Sequence, residues 1–277
     1  MHARFPIVFA LGLCLASAAA IAEPAQKPAI ETKTRAAEVT ITIDARLKPY
    51  PGLAADLLAE GRRFIAKARA EAEEEYKTNP EWFAGDRRWT YERVYQYRSL
   101  VAGRYLSIVR DDGTSTGGAH PNTFIDTILW DTRDKKRINI RRFFVETADD
   151  GATMVALAKL VRRAVAAEKI ERWKDSRPDD EKNNPRPTAD QMAEQDEQLI
   201  KRVAPRLTKL GPITLAPSTI PGKSSGLTVH YSPYDVDAYA AGPYTVFVPW
   251  MALKAHLSAE GVAIFGGARP AADKTDP

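Results

Sequence analysis

The only cysteine, Cys14, lies inside an apolar run near the N-terminus, so everything after it must fold without a disulfide. The same fact removes thiolate nucleophiles and cysteine-type zinc sites from that remainder. Its stability has to come from burial, and the remaining length suffices for one large core or two smaller ones. The apolar run itself has the layout of an export signal. Met1-His2-Ala3-Arg4 carries positive charge, Ile7 to Ala20 is apolar, and Ala20-Ile21-Ala22 puts small residues at the two positions a signal peptidase reads. This predicts a signal peptide over 1–22 and a periplasmic or secreted chain, since a membrane span takes about 18 or more apolar residues. Leu13 stands where lipidation of Cys14 would require a small residue. No later run is long enough to cross a membrane, so no transmembrane segment is expected after cleavage. The formal net charge is +4, with both signs interleaved along the chain, which gives no footprint for nucleic acid.

Periodicity divides the rest. Residues 23–37, rich in Pro, Ala, Lys and Thr, have linker composition. Glu38 to Asp44 alternates like a half-buried strand, and Leu53 to Tyr76 has helical spacing. The acidic cluster Glu71–Glu75 sits at the helix end that the macrodipole disfavours, which predicts fraying there. Strands are expected at 89–97, 104–110, 123–131 and 138–140, with a glycine-rich loop over 111–122. Helices are expected at 152–173 and 189–203, separated by a charged exposed excursion at 175–187. Short strands at 213–215, 226–231 and 244–248 lead to a helix opening at Pro249, and 266–277 has the composition of a disordered tail. The order of elements predicts an α+β fold, a largely antiparallel sheet packed against long helices. Its parts are an N-terminal α/β portion over 38–110 and an α+β domain over 111–265, joined in one compact unit.

Chemistry-bearing patterns are sparse. No His-x-x-x-His or comparable ligand spacing occurs, so neither a metal nor another cofactor is expected. Pro221-Gly222-Lys223-Ser224 resembles the end of a phosphate loop, but Pro217 replaces the glycine that loop needs. Asp111-Asp112-Gly113 lacks the further carboxylates of a calcium loop. His230, on a strand face with Thr228 and Ser232, reads as solvent-facing.

Two motifs stand out as binding candidates. In Thr116-Gly117-Gly118-Ala119-His120-Pro121-Asn122, Gly117 and Gly118 permit positive φ or close backbone approach, and Pro121 holds His120 extended. Such a shaped loop either pins itself through His120 or presents His120 and Asn122 to a partner. The stretch Tyr231 to Tyr244 sets Tyr234, Tyr239 and Tyr244 among prolines and small residues, giving rigid amphipathic contacts or core caps. Asp126 shares a strand face with Phe124, Ile128 and Trp130 and is a candidate buried carboxylate.

Together these stretches resemble the RsiV-like domain family. The likeness rests on Thr116-Gly117-Gly118-Ala119-His120, on Trp130-Asp131, and on Arg141-Arg142-Phe143-Phe144 before a long helix. It extends to Leu227 through Gly242, with Val246-Phe247-Val248-Pro249-Trp250 behind. Residues 38–110 look like the domain that commonly accompanies that family. The resemblance implies an α+β domain outside the membrane that binds lysozyme or a peptidoglycan-related ligand. Anti-sigma signalling and peptidoglycan deacetylation, known from other members, are not carried over. The implied function is an exported binding protein of the envelope. Alternatives are a peptidoglycan-associated structural protein and an envelope hydrolase using His120 and a carboxylate such as Asp126.

Overall fold

The computed structural model describes residues 27–176 and 187–273. The expected signal peptide and most of the expected excursion at 175–187 lie outside the described residues.

Six strands form the first sheet: β1 (Ile30–Lys33), β2 (Ala37–Ile43), β3 (Trp89–Val101), β4 (Tyr105–Ser115), β5 (Asn122–Asp131) and β6 (Lys136–Ile138). They lie side by side in chain order. All pairs are antiparallel except β2 with β3, which are parallel because helix α1 (Pro51–Thr78) crosses over between them. The helix buries Leu53, Leu57, Ile65, Ala68 and Ala72, an i, i+4, i+12 stripe. Against it the period-two faces of the strands place Val39, Ile41, Tyr95, Leu106, Ile108, Ile128 and Trp130, closing one hydrophobic core.

A second, antiparallel sheet consists of β7 (Ile213–Leu215), β8 (Gly226–Tyr231) and β9 (Tyr244–Pro249). Helix α2 (Ala152–Ser176) packs on one of its faces. Met154, Leu157, Val161 and Val165 meet Leu227, Val229, Tyr231, Val246 and Val248 in the other core. The short helices α3 (Ala189–Gln195), α4 (Glu197–Arg202) and α5 (Ala259–Ile264) complete the described α-helices.

Hydroxyl groups join the two sheets. The outer edge of β7 would otherwise leave unpaired backbone groups. Instead, Ser99 Oγ donates to the Leu215 carbonyl (2.6 Å), the Leu215 N–H donates to Ser107 Oγ (3.0 Å), and Thr127 Oγ1 donates to the Ile213 carbonyl (3.0 Å). The result is an α+β fold with antiparallel pairing dominant and long helices on the outside.

Several expectations change. Residues 30–33 of the linker stretch form β1, paired with Glu38–Ile41 of β2. Position 110/111, expected to divide the N-terminal portion from the following domain, falls inside β4. That strand runs through Asp111–Ser115, expected as loop, because Asp112 is matched by Arg93 on β3. Helix α1 continues unbroken through the acidic cluster to Thr78. There Tyr76 packs edge-on against Phe83 (5.4 Å), Asn79 bonds to Glu75 (2.5 Å) and Lys77 pairs with Glu74 (3.6 Å), so the end is tied down. The helix expected over 189–203 is two helices, because Asp196 Oδ1 accepts from the Leu199 N–H and caps a fresh start. Trp250–His256 is a 3-10 helix, followed by α5, which Ser258 caps.

Residues 266–273, expected in the tail, are laid across the second sheet. Trp250 Nε1 donates to the Gly267 carbonyl (2.9 Å), Arg269 stacks over Phe247 (5.0 Å), and Asp273 is gripped by Arg98 and Arg269. This strap overturns the reading of His230 as solvent-facing. All six residues of β8 are buried, and His230 bonds through Nε2 to Thr214 Oγ1 (2.9 Å). Burial, then the positive charge of Arg98, holds the imidazole down at about 4, with Asp273 opposing.

Candidate functional site

The two motifs singled out in the sequence meet in space. The β4–β5 hairpin ends in a short loop over 116–121, and Gly117 there adopts φ +79°, a conformation that favours glycine. Gly118 has open space around it and does not approach other backbone. The loop delivers the His120 ring onto the Tyr239 ring, with centroids 3.7 Å apart and planes 21° from parallel. Tyr234 completes the cluster at 5.4 Å from Tyr239 and 6.4 Å from His120. His120 is both pinned and presented. Its Nδ1 hydrogen-bonds to the Pro121 carbonyl (3.0 Å), which also accepts from the Tyr239 hydroxyl (2.5 Å). Asn122 opens β5 opposite Thr114, with its side chain half-buried.

The turn bearing Tyr234 is locked by its own polar residues. The Ser232 N–H donates to Asp235 Oδ2 (2.7 Å) and the Asp235 N–H returns to the Ser232 carbonyl (3.1 Å). Arg202 from α4 donates to the carbonyls of Tyr234 and Asp235. Ser232 Oγ accepts the Ile125 N–H of β5 (2.9 Å), tying the turn to the hairpin that carries His120. Tyr234 sits at φ +74°, an outlier for a bulky side chain, and is 53% exposed. The turn therefore holds an aromatic ring in water in a conformation that costs energy. Ile125, Ser232, Asp235 and Arg202 were not singled out in the sequence; the only signal for them was the turn composition Ser-Pro-Tyr-Asp.

Tyr244 does not join the cluster. It is 1% exposed, its hydroxyl donates to Asp237 Oδ2 (2.6 Å) and the Arg172 guanidinium lies over its ring at 3.9 Å. Burial, then the Asp237 carboxylate, pushes its phenol well above the ordinary range. Asp126 also stands apart. It pairs with Arg110 (2.9 Å) on the sheet face that carries α1, whereas its neighbours Ile125 and Thr127 reach the second sheet side, where Ser232 and the tyrosine turn lie. Among the described residues the contacts shown for His120 are a carbonyl and two rings, with no carboxylate among them for acid–base work. What the cluster does offer is a rigid surface of stacked, polar-tipped rings.

Among the described residues, no group of three or more His, Cys, Asp or Glu side chains is placed to hold a metal ion. No described helix is long and apolar enough to cross a membrane.

The two tyrosines of the cluster lie on a stretch that recurs in other proteins. Residues 147–251 match the DUF3298 family model. That model is described as a protein of unknown function, and the matched region takes in Tyr234 and Tyr239 but not His120. Among solved structures, a DUF3298 family protein from Pseudomonas aeruginosa PAO1 is similar at a TM-score of 0.50 and 16% identity, covering 85% of this chain and 90% of that one. A DUF3298 family member from Bacteroides fragilis is similar at a TM-score of 0.50 and 16% identity, covering 82% of this chain and 87% of the other. These likenesses extend the shared fold well beyond the DUF3298 match. No curated protein matches the chain.

Proposed function

We propose that this chain is an exported binding protein of the cell envelope that docks a wall-active enzyme of the lysozyme type. The contact surface in this reading is the stacked cluster His120–Tyr239–Tyr234. The observation that carries it is the exposed Tyr234 ring held at positive φ by Ser232, Asp235 and Arg202. Interface hot spots are enriched in rigid, amphipathic aromatics, and a strained loop that displays one is better explained by contact than by packing. Export is supported by the charged, apolar and small-residue segments of residues 1–22. The choice of lysozyme as the partner class rests on the RsiV-like resemblance, a finer likeness than the DUF3298 match.

The test is calorimetric binding of the purified protein to a panel of lysozymes, with lysis of cell-wall substrate followed in parallel. Binding at micromolar concentration or tighter with loss of lysis is expected. Tyr234→Ala and Tyr239→Ala should each weaken it roughly tenfold, about 1.4 kcal/mol. Wild-type affinity in both variants would remove the cluster from the interface, and silence across the whole panel would overturn the lysozyme reading. Export is checked separately: cell fractionation should place the chain outside the cytoplasm with Glu23 as its first residue.

A further inference from the structure

A groove of about 1010 Å³ runs along the flank of α1, on the sheet face opposite the tyrosine turn. Its origin is geometric. A helix is about 10 Å across and strands are spaced about 4.8 Å apart, so one helix covers roughly two strands. Helix α1 packs on β2 and β3, leaving the far ends of β4 and β5 bare beside it. The groove touches α1 from Glu60 to Glu75, about 22 Å of helix at 1.5 Å per residue.

Rings line it along its length: Phe64 on α1, Trp89 and Tyr91 on one face of β3, and Phe124 on β5. Phe124 is 58% exposed, although its strand neighbours Ile128 and Trp130 on the same face are buried. Between the rings lie polar groups of both signs, several of them matched within the protein. Arg93 makes two bonds of 2.6 Å to Asp112 and stacks on Phe64 at 4.1 Å. Lys67 pairs with Glu71 (3.7 Å) and Glu74 with Lys77 (3.6 Å). The hydroxyls of Thr114 and Thr116 complete the floor.

This combination selects a ligand chemistry. A purely apolar occupant would strand the polar groups, at a cost for each that is desolvated unpaired. A strongly charged occupant of either sign would meet like charges beside its counter-charges, since carboxylates and basic groups alternate along the lining. A neutral, hydroxyl-rich chain with apolar ring faces satisfies both halves: its C–H faces cover aromatic rings, and its hydroxyls use the spare lone pairs and N–H groups of the paired side chains. We propose that this groove binds a neutral oligosaccharide chain, several sugar rings long, lying along Phe64, Trp89 and Phe124, with the buried Tyr91 beneath it. This site lies on a different face from the tyrosine cluster and stands or falls independently of the lysozyme reading.

The experiment is titration of the purified protein with three neutral hexasaccharides: β-1,4-linked N-acetylglucosamine, cellohexaose and maltohexaose. Binding is read by calorimetry and by tryptophan fluorescence. At least one should bind at millimolar concentration or tighter and change the fluorescence. Preference for the first over cellohexaose would assign recognition to the acetamido groups, and equal binding would assign it to the sugar rings. Phe124→Ala, at an exposed position, should weaken that binding about tenfold, as should Thr116→Trp, which fills the groove end. Tyr239→Ala should leave it unchanged. No binding by any of the three, or binding that neither groove variant alters, would overturn the proposal.

Discussion

His230 offers the most quantitative test of the architecture, because its burial depends on the second sheet, β3 and the 266–273 strap all being in place. The folded-state value of about 4 lies below the ordinary 6.5 of an unfolded histidine. Between those limits the unfolded chain carries a proton at residue 230 that the folded chain lacks. Stability therefore rises with pH through this window. As pH falls from 6.5 to 4 the site withdraws up to about 3 kcal/mol, since each pH unit crossed is worth about 1.36 kcal/mol. The contribution is fully present above pH 6.5.

Asp111 works in the opposite direction. Burial, then the neighbouring Asp112, raises its carboxyl to about 6, so the folded chain holds a proton that the unfolded chain releases down to 3.8. The raw pH profile of the wild type is flattened by this opposition, and the difference between wild type and His230→Gln isolates the histidine because Asp111 is common to both. Urea unfolding at pH 7, 6, 5 and 4 should show the wild type losing about 3 kcal/mol relative to His230→Gln across the series. A proton NMR titration of the ring should show no protonation until near pH 4. Parallel stability curves, or a ring that titrates near 6.5, would refute the claim that the strap seals this face.

Two further substitutions probe the frame that positions the groove and the cluster. Asp112→Ala removes the bidentate partner of Arg93, with both side chains nearly buried, and leaves Glu60 at 3.4 Å as the described carboxylate paired with the guanidinium; urea unfolding should register a loss of about 3 kcal/mol, the low end for breaking a buried pair. Gly226→Ala places a methyl group against the Val248 carbonyl at φ +154°, where β8 turns into its pairing with β9; soluble yield should fall and any folded fraction should melt roughly 10 °C lower, and a wild-type Tm would show that this pairing is not as drawn.

Period-two and helical patterns located most of the elements, because the residues they place inward meet only one environment. The failures fall where tertiary context decides. The alternation in Leu227–Tyr231 is real, but its polar half faces hydroxyls, Arg98 and the strap rather than water, so a buried strand read as half-exposed. Asp111 and Asp112 look like turn residues until Arg93, 19 positions earlier, is placed beside Asp112. The acidic end of α1 is held by Phe83 and Asn79, which follow it in the chain but carry no signal of docking back. Of the candidate site, the two motifs were legible as shaped loops from their glycines, prolines and tyrosines. Their convergence was not, since it depends on hydrogen bonds from the Ile125 N–H to Ser232 and from the Tyr239 hydroxyl to the Pro121 carbonyl, across 107 and 118 positions. Phe124 was placed on the correct strand face, but its exposure follows from the width of the sheet against one helix, which no local pattern encodes.

That mismatch of widths and lengths accounts for both candidate surfaces. Strand β4 has 11 residues and β3 has 13, whereas β7 and β8 have 3 and 6. At about 3.4 Å per residue, β4 is nearly twice as long as β8 and more than three times as long as β7, the strand packed behind it. The β3–β4–β5 ribbon must therefore overhang, and an overhanging ribbon exposes both faces. On one face the fold answers with the Ser232 turn, which brings the tyrosines up against the hairpin tip. On the other, no described element lies over Phe124. The ion network of Glu60, Arg93, Arg110, Asp112 and Asp126 sits at the root of the overhang and ties α1 to β3, β4 and β5. Buried ion pairs do little for net stability compared with apolar packing, but they fix orientation. Here they tie the ribbon to α1 beside the exposed Phe124, where apolar side chains in their place would be expected to draw that ring into the core.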